Sequence, residues 1–250
     1  MTFHVLTIFP HFVRTIFEWG VLRRAAEADI IRHDVRDLRD YTEDRHRTTD
    51  DVPFGGGPGM VMRAEPIFRA VEAIRGETGA PLPLIYLTPG GELLTHPLAV
   101  ELAQGGDCIL LCGRYEGVDQ RVIDHLVDRE ISIGNYVLSG GELAAMVVID
   151  AVARQIPGVV GKPESLEAES FVTGLLDWPH YTRPEVFRDW QVPEVLLSGN
   201  HARILAYRQE AALLLTYRRR RELLSDEQRL QAEQILARGR QEGNDASADR

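Results

Sequence analysis

The chain has 250 residues, 44% of them hydrophobic, with 28 basic and 38 acidic side chains and a formal charge of −10. That length allows one large domain or two modest ones with a real core. It holds no run of 18 or more apolar residues, which excludes a membrane-spanning helix. The only cysteines, Cys108 and Cys112, fall on one predicted strand, about 13 Å apart in extended chain, which excludes a disulfide between them.

In chain order, the opening MTFHVLTIFPHF lacks a basic region and a small-residue cleavage site, so no signal peptide is expected. Apolar runs at 3–9, 84–88, 108–112 and around 131–138 predict strands, and segments near 12–28, 65–75, 96–103, 119–127 and 140–156 predict helices. Alternation of this kind implies an α/β fold, a mostly parallel sheet with helices on both faces. Ligands of such sheets bind at the carboxyl ends of strands. Three glycine-punctuated loops fall there: Thr88-Pro89-Gly90-Gly91, LCGRYEGVDQR (111–121) and EISIGNYVLSGGELAAM (130–146).

Glycines let backbone amides and carbonyls approach a ligand closely. Neither of the two longer loops matches a nucleotide-phosphate loop or the dinucleotide fingerprint. Both lack lysine, and Lys162 is the chain's only one, although Arg114 can supply some charge. A ligand with an aromatic base and little net charge suits them better than a polyphosphate. Ser139 and Glu142 have the spacing of a capping box, each satisfying the other's backbone amide. The following helix is apolar almost all round, as expected in a core or an interface. The eight histidines are scattered, with no paired spacing to suggest zinc. The cysteines read as buried free thiols in a reducing cytoplasm.

Beyond the sheet, the polar stretch GKPESLEAES (161–170) reads as a mobile linker. Residues from 184 to about 240 look helical, with a turn at 195–200, and 241–250 look disordered. Residues 1–176 carry the whole charge of −10, whereas 177–250 hold 12 basic and 12 acidic groups. Within that neutral part, Arg203, Arg208, Arg218, Arg219, Arg220 and Arg221 stand against the single acid Glu210. Such a cluster can neutralise backbone phosphates.

Six ordered motifs then carry a resemblance: VPFGGGPGMVM (52–62), LCGRYEGVDQR, EISIGNYVLSGGELAA, PGVVGKPES (157–165), GLLDWPHYTRPE (174–185) and VPEVLLSGNHA (192–202). From about residue 1 to 240 the chain resembles the bacterial tRNA (guanine-N1)-methyltransferases of the SPOUT class. The resemblance implies methyl transfer from S-adenosylmethionine to N1 of guanosine 37, beside the anticodon. It also implies a homodimer and a C-terminal trefoil knot in a methyltransferase domain spanning 1–160. A flexible linker or lid (161–176), a small all-α tRNA-binding domain (177–240) and a disordered tail (241–250) would follow.

Carried over residue by residue, the resemblance assigns the cofactor to Gly113, Ile133, Gly134, Asn135, Tyr136, Val137 and Leu138. Tyr86, Leu87, Thr88, Pro89, Tyr115, Glu116, Gly140 and Gly141 complete its walls. Catalysis needs a carboxylate to take the N1 proton and a cation to stabilise O6; these fall to Glu169 and Arg154. Gly55, Gly56, Gly57, Pro58, Gly59 and Met60 would line a pocket for the flipped guanine. His180, Arg183, Arg203 and Arg208, with Tyr181, would meet the tRNA. Two positions depart from the family pattern, which has aspartate where this chain has Glu169 and Asn135. Magnesium is compatible with the resemblance, although no ligand cluster is visible.

Arg154 lies 15 residues beyond Ser139 on one predicted helix, about 22 Å along its axis. A composite site, with the cofactor on one protomer and Arg154 and Glu169 from its partner, resolves that distance. The competing expectations are an RNA-binding protein of this class with weakened catalysis, and an enzyme methylating ribose 2′-hydroxyls.

Overall fold

The computed structural model describes residues 1–161 and 169–248; residues 162–168 of the expected linker lie outside the described residues. The chain forms two compact units, 1–161 and 162–250.

The first unit is built on five parallel strands: β1 (Thr2–Thr7), β2 (Arg32–Asp37), β5 (Leu84–Leu93), β6 (Cys108–Cys112) and β7 (Arg129–Ser132), in the order β2-β1-β6-β5-β7. A two-stranded antiparallel pair, β3 (Asp50–Asp51) and β4 (Val61–Met62), lies outside it. Side chains alternate across a strand, and here the alternation divides the core in two. Phe3, Val5, Ile85, Leu87, Leu110 and Cys112 face one layer, and Leu6, Leu84, Tyr86, Ile109 and Leu111 face the other.

The first layer is covered by α1 (Pro10–Arg14), α2 (Gly20–Glu27), α4 (His96–Gly105) and α6 (Glu142–Ala153), the second by α3 (Ala64–Thr78) and α5 (Gln120–His125). Helix α3 buries Ile67, Ala70, Val71 and Ile74, the spacing of one helical face. It stops where Gly79 turns left-handed at φ 65° and its amide bonds back to Arg75 O. Helix α4 starts at Thr95, whose hydroxyl accepts from the Leu98 amide, with Pro97 in its first turn. Helix α6 buries Ala144, Ala145, Val148, Ile149, Val152 and Ala153. At about 1.5–3 kcal/mol for each large aliphatic side chain removed from water, it is firmly seated.

Several expected elements need correction. The helix expected over 12–28 is two helices, separated by a 3₁₀ turn (Thr15–Glu18) and extended backbone at Trp19, because Gly20 adopts φ 63°. Strand β2 carries only Val35 as a fully buried side chain and was not expected. The apolar run at 131–138 is strand only to Ser132. Strand β5 runs on past Thr88, with a register break between Leu87 and Glu92 as it pairs with β7. Glycine is required in that bulge, since a Cβ on Gly91 would strike the backbone of Glu130 and Ile131.

In the second unit, helices His201–Arg219 and Asp226–Ala248 pack around Leu213, Leu224 and Ala232, and a short helix, Glu194–Leu197, lies against the first of them. The last helix continues to Ala248 rather than ending near 240. The all-helical expectation also fails at a short hairpin, Val186–Phe187 with Trp190–Gln191. β-Branched and aromatic residues favour strand there, and Arg188 supplies the positive φ, 57°, that a tight hairpin turn demands. No helix among the described residues is long and apolar enough to cross a membrane.

Candidate functional site

The middle of β5, at its bulge, and the carboxyl ends of β6 and β7 meet at one cleft. The β5 bulge contributes Thr88 and Pro89, the loop after β6 contributes Gly113, Tyr115 and Glu116, and the loop after β7 contributes Ile133, Gly134, Tyr136, Val137, Leu138, Gly140 and Gly141. Tyr86 and Leu87 form part of the same wall.

One candidate is displaced. Asn135 is exposed and does not line the cleft. The Tyr136 amide bonds to Gly134 O at 2.9 Å, a three-residue turn with Asn135 at its apex. Arg114, Gly117, Ile131, Ser132, Ser139 and Ala144 also line the cleft; all six fall in the two glycine loops read from the sequence as the ligand site, without being singled out as cofactor contacts.

The two glycine loops are tied directly together. The Gly141 amide bonds to Gly113 O at 2.8 Å, and Arg114 forms an antiparallel bridge with Gly140. A Cβ on Gly141 would lie 2.8 Å from Cys112 Cα, so only glycine permits this crossing. Tyr86 packs its ring under Gly113, and burial pushes its phenol above the ordinary tyrosine range, against opposing hydrogen bonds with Val118 and Thr88. Tyr115 holds a left-handed φ of 61° and its phenol is raised, first by burial and then by the Asp50 carboxylate to which it bonds. Non-glycine residues adopt that backbone only when their surroundings enforce it.

Ser139 and Glu142 do not form the expected capping box. The residue preceding α6 is Gly141, with no side-chain cap. Glu142 is instead 1% exposed, accepting a hydrogen bond from Thr7 Oγ1 at 2.8 Å and one from Arg114 Nε at 2.9 Å. The buried acceptor competes better for two strong donors than for a solvent-side amide. Arg114 also stacks 4.5 Å above the Phe9 ring and donates to Ser139 O at 3.2 Å. Its charge is therefore matched inside the protein, whereas Glu116 stands in the cleft wall. Such a surface suits a neutral or cationic ligand with an aromatic portion.

The glycine-rich segment between β3 and β4 is strapped to the same region. Glu116 N bonds to Met60 O at 3.0 Å and Met62 N to Gly117 O at 2.9 Å. Gly55, Gly56, Gly57 and Gly59 all take positive φ, and residues 55–59, Pro58 included, are exposed. The Glu116 side chain fills the space a Cβ on Gly59 would need. The loop is thus brought beside the cleft.

Arg154 caps the far end of α6, its amide bonded to Asp150 O at 3.2 Å. It stands twelve residues from Glu142, about 18 Å along the axis, so the cleft does not include it. Leu143 and Val147 on α6, with Phe9 and Phe12 at α1, leave apolar surface exposed on packed neighbours.

Glu169, in the expected linker, falls in the second unit and is the first residue described beyond 162–168. There His180, Arg183 and Arg208 share a second cleft with Trp178 and Tyr181. The Arg208 guanidinium lies 5.0 Å over the Trp178 ring, and His180 Nε2 is 2.7 Å from Asp177. Arg203 is exposed and outside that cleft; five residues before Arg208, it points about 140° away around the helix.

Among the described residues, no three His, Cys, Asp or Glu side chains gather where a metal ion could be held. No residue is therefore assigned to magnesium. Cys108 and Cys112 are buried free thiols, Cys108 pushed up to about 12 and Cys112 well above its ordinary range by burial, so neither is a nucleophile.

Residues 1–226 match the family model described as tRNA (Guanine-1)-methyltransferase TrmD. A tRNA (guanine-N(1)-)-methyltransferase of Dehalococcoides mccartyi is 50% identical over 224 residues, covering 90% of each chain. One from Ralstonia nicotianae is 51% identical over 90% of this chain and 86% of its own. One from Pseudomonas putida is 52% identical over 88% of each.

Proposed function

The chain belongs to the tRNA (guanine-1)-methyltransferase TrmD family, and from that premise we propose that it methylates N1 of guanosine 37 in the tRNA anticodon loop, with S-adenosylmethionine as donor. The observation that carries the donor site is the cleft between the β5 bulge and the ends of β6 and β7. Its walls are glycine backbone, tyrosine rings and aliphatic side chains, and Arg114, its one arginine, is paired with Glu142. Those residues fit an adenine ring and a positively charged sulfonium, and they offer little to a polyphosphate.

Tyr86, Leu87 and Leu138 would enclose the adenosine, backbone groups of 133–138 would read its edge, and Glu116 would face the positive end. The donor, when bound, supplies a methyl group activated by its sulfonium. Guanine N1 carries a proton at neutral pH and is a poor nucleophile until that proton leaves. Glu169 takes the proton, and Arg154 donates to O6 as negative charge gathers there. The electron pair left on N1 would form the new bond to the methyl carbon as that carbon's bond to sulfur breaks, its pair returning to sulfur to leave a neutral thioether. The 55–60 loop, beside Glu116, holds the extruded base, since extrusion is the usual route to a buried base atom.

Arg154 lies too far along α6 to serve its own cleft, so a second copy of the chain supplies both Arg154 and Glu169. The exposed apolar side chains of α1 and α6 support such a homodimer. The crossing of Gly140 and Gly141 over Cys112 and Gly113 supports a trefoil knot in this region. In the second unit, Arg203 and the arginines near the end of the same helix neutralise tRNA phosphates, and His180, Tyr181, Arg183 and Arg208 meet nucleotides at the Trp178 cleft. The protein acts in the cytoplasm, where tRNA and reduced thiols coexist.

The test is nucleoside analysis of unmodified tRNA incubated with the protein and methyl-labelled donor. Label in N1-methylguanosine is expected. Label in a 2′-O-methyl nucleoside, or none at all, overturns the proposal.

A further inference from the structure

The geometry points to Glu142 as a positioning residue that, with Thr7 and Arg114, locks the crossing of the two glycine loops and thereby shapes the cleft. It rests on the reading of that cleft as the donor site. Four groups close a ring. Thr7 Oγ1, at the carboxyl end of β1, accepts from the Phe9 amide at 2.9 Å and donates to Glu142 Oε1 at 2.8 Å. Glu142 Oε2 accepts from Arg114 Nε at 2.9 Å, and Arg114 lies back on the Phe9 ring at 4.5 Å.

The ring joins β1, the loop after β6 and the first turn of α6, three segments far apart in the chain. It closes where the loops cross. Arg114 occupies the space a Cβ on Gly140 would need, and Gly141 passes over Cys112 with no room for a side chain. Thr7 is fully buried and Glu142 nearly so. A buried carboxylate with two donors, at the amino end of a helix, is held hard in one place. Removing the Thr7 hydroxyl or the Arg114 guanidinium leaves the buried Glu142 carboxylate short of a partner. The loop it releases, 133–141, forms one wall of the cleft.

Hydrogen exchange on the ligand-free protein tests the lock without reference to any ligand. In Glu142→Gln, which keeps volume, the amides of 139–141 should exchange at least about tenfold faster, while those of β1 and β6 keep wild-type protection. The Michaelis constant for S-adenosylmethionine should rise by about the same factor, with that for tRNA unchanged. Adding Arg114→Gln to Glu142→Gln should cost less than the sum of the two single variants, because both remove the Arg114–Glu142 bond. Thr7→Val, which removes a single hydroxyl, should move the same readouts in the same direction by about threefold and serves where the glutamine variant fails to fold.

Wild-type exchange at 139–141, a uniform loss of protection across the sheet, or independent losses in the double variant would each overturn the lock. Wild-type protein that fails to bind S-adenosylmethionine yet shows the expected exchange pattern would sink the donor-site reading alone.

Discussion

Arg154 and Glu169 lie in different units of the chain, and the proposed chemistry calls for both at one purine. Proton removal and charge stabilisation at O6 occur in the same transition state, so losing either group removes an interaction made only there. Arg154→Ala and Glu169→Ala should therefore each lower turnover by at least about a hundredfold, with donor binding by calorimetry close to wild type. Retained turnover in either variant removes that residue from the mechanism. Glu169→Asp shortens the side chain by one methylene and shifts the carboxylate by about 1 Å, a displacement that positioned catalysis can register. Arg114 makes the complementary point. Read as a bare residue, it offers charge to a ligand; in the fold, its guanidinium is matched by Glu142, Ser139 and the face of Phe9.

At the scale of elements, what the sequence revealed was what buries apolar area. Strand β6 was legible to the residue because all five of its side chains are buried. Strand β2 was not, because an edge strand needs few core residues, and its outward groups serve a polar network. His4 and Arg36 both meet Asp34, at 3.0 and 2.7 Å, and Arg36 also meets Glu77. The break at Gly20 was hidden because one glycine inside a helical pattern costs only about 1 kcal/mol and is often tolerated. The cleft walls were legible from glycine placement and from the resemblance, but the Thr7–Glu142 bond joins residues 135 apart, which no local pattern encodes. Strand β2 also carries a small pH dependence. His33 stays solvent-exposed at its edge but stacks on Phe17 with ring centroids 4.1 Å apart, and partial desolvation, then Arg14, against Asp34, lowers its pKa below the ordinary histidine value, an effect that solvent screening keeps modest. As pH falls through about 6.5, the unfolded chain takes up a proton that the folded chain resists. Stability should therefore decline from pH 7 toward 5, and His33→Gln should flatten that decline. Melting temperatures of both proteins across this range decide it; equal slopes would rule His33 out.

At the scale of the molecule, a site assembled from two chains predicts behaviour that no single-chain site can produce. Gly134→Val places a side chain against the Tyr136 ring at a backbone φ of 155°, and so disables the donor cleft while leaving Glu169 and Arg154 intact. Glu169→Ala disables the base while leaving the cleft intact. Each variant alone should be inactive. In a heterodimer, the intact cleft of one chain meets the intact carboxylate of the other, so one of its two sites is whole. Random mixing makes half of the dimers heterodimers, and activity should return to about a quarter of the wild-type value. The exposed Leu143 and Val147 on α6 belong to the same argument, because separating the chains should abolish both sites. Co-expression with two different affinity tags isolates the mixed species, and a methyl-transfer assay reads it. A confirmed heterodimer with no activity would mean that cleft and carboxylate must lie on one chain, and Arg154, about 18 Å from Glu142 along α6, would then need another role.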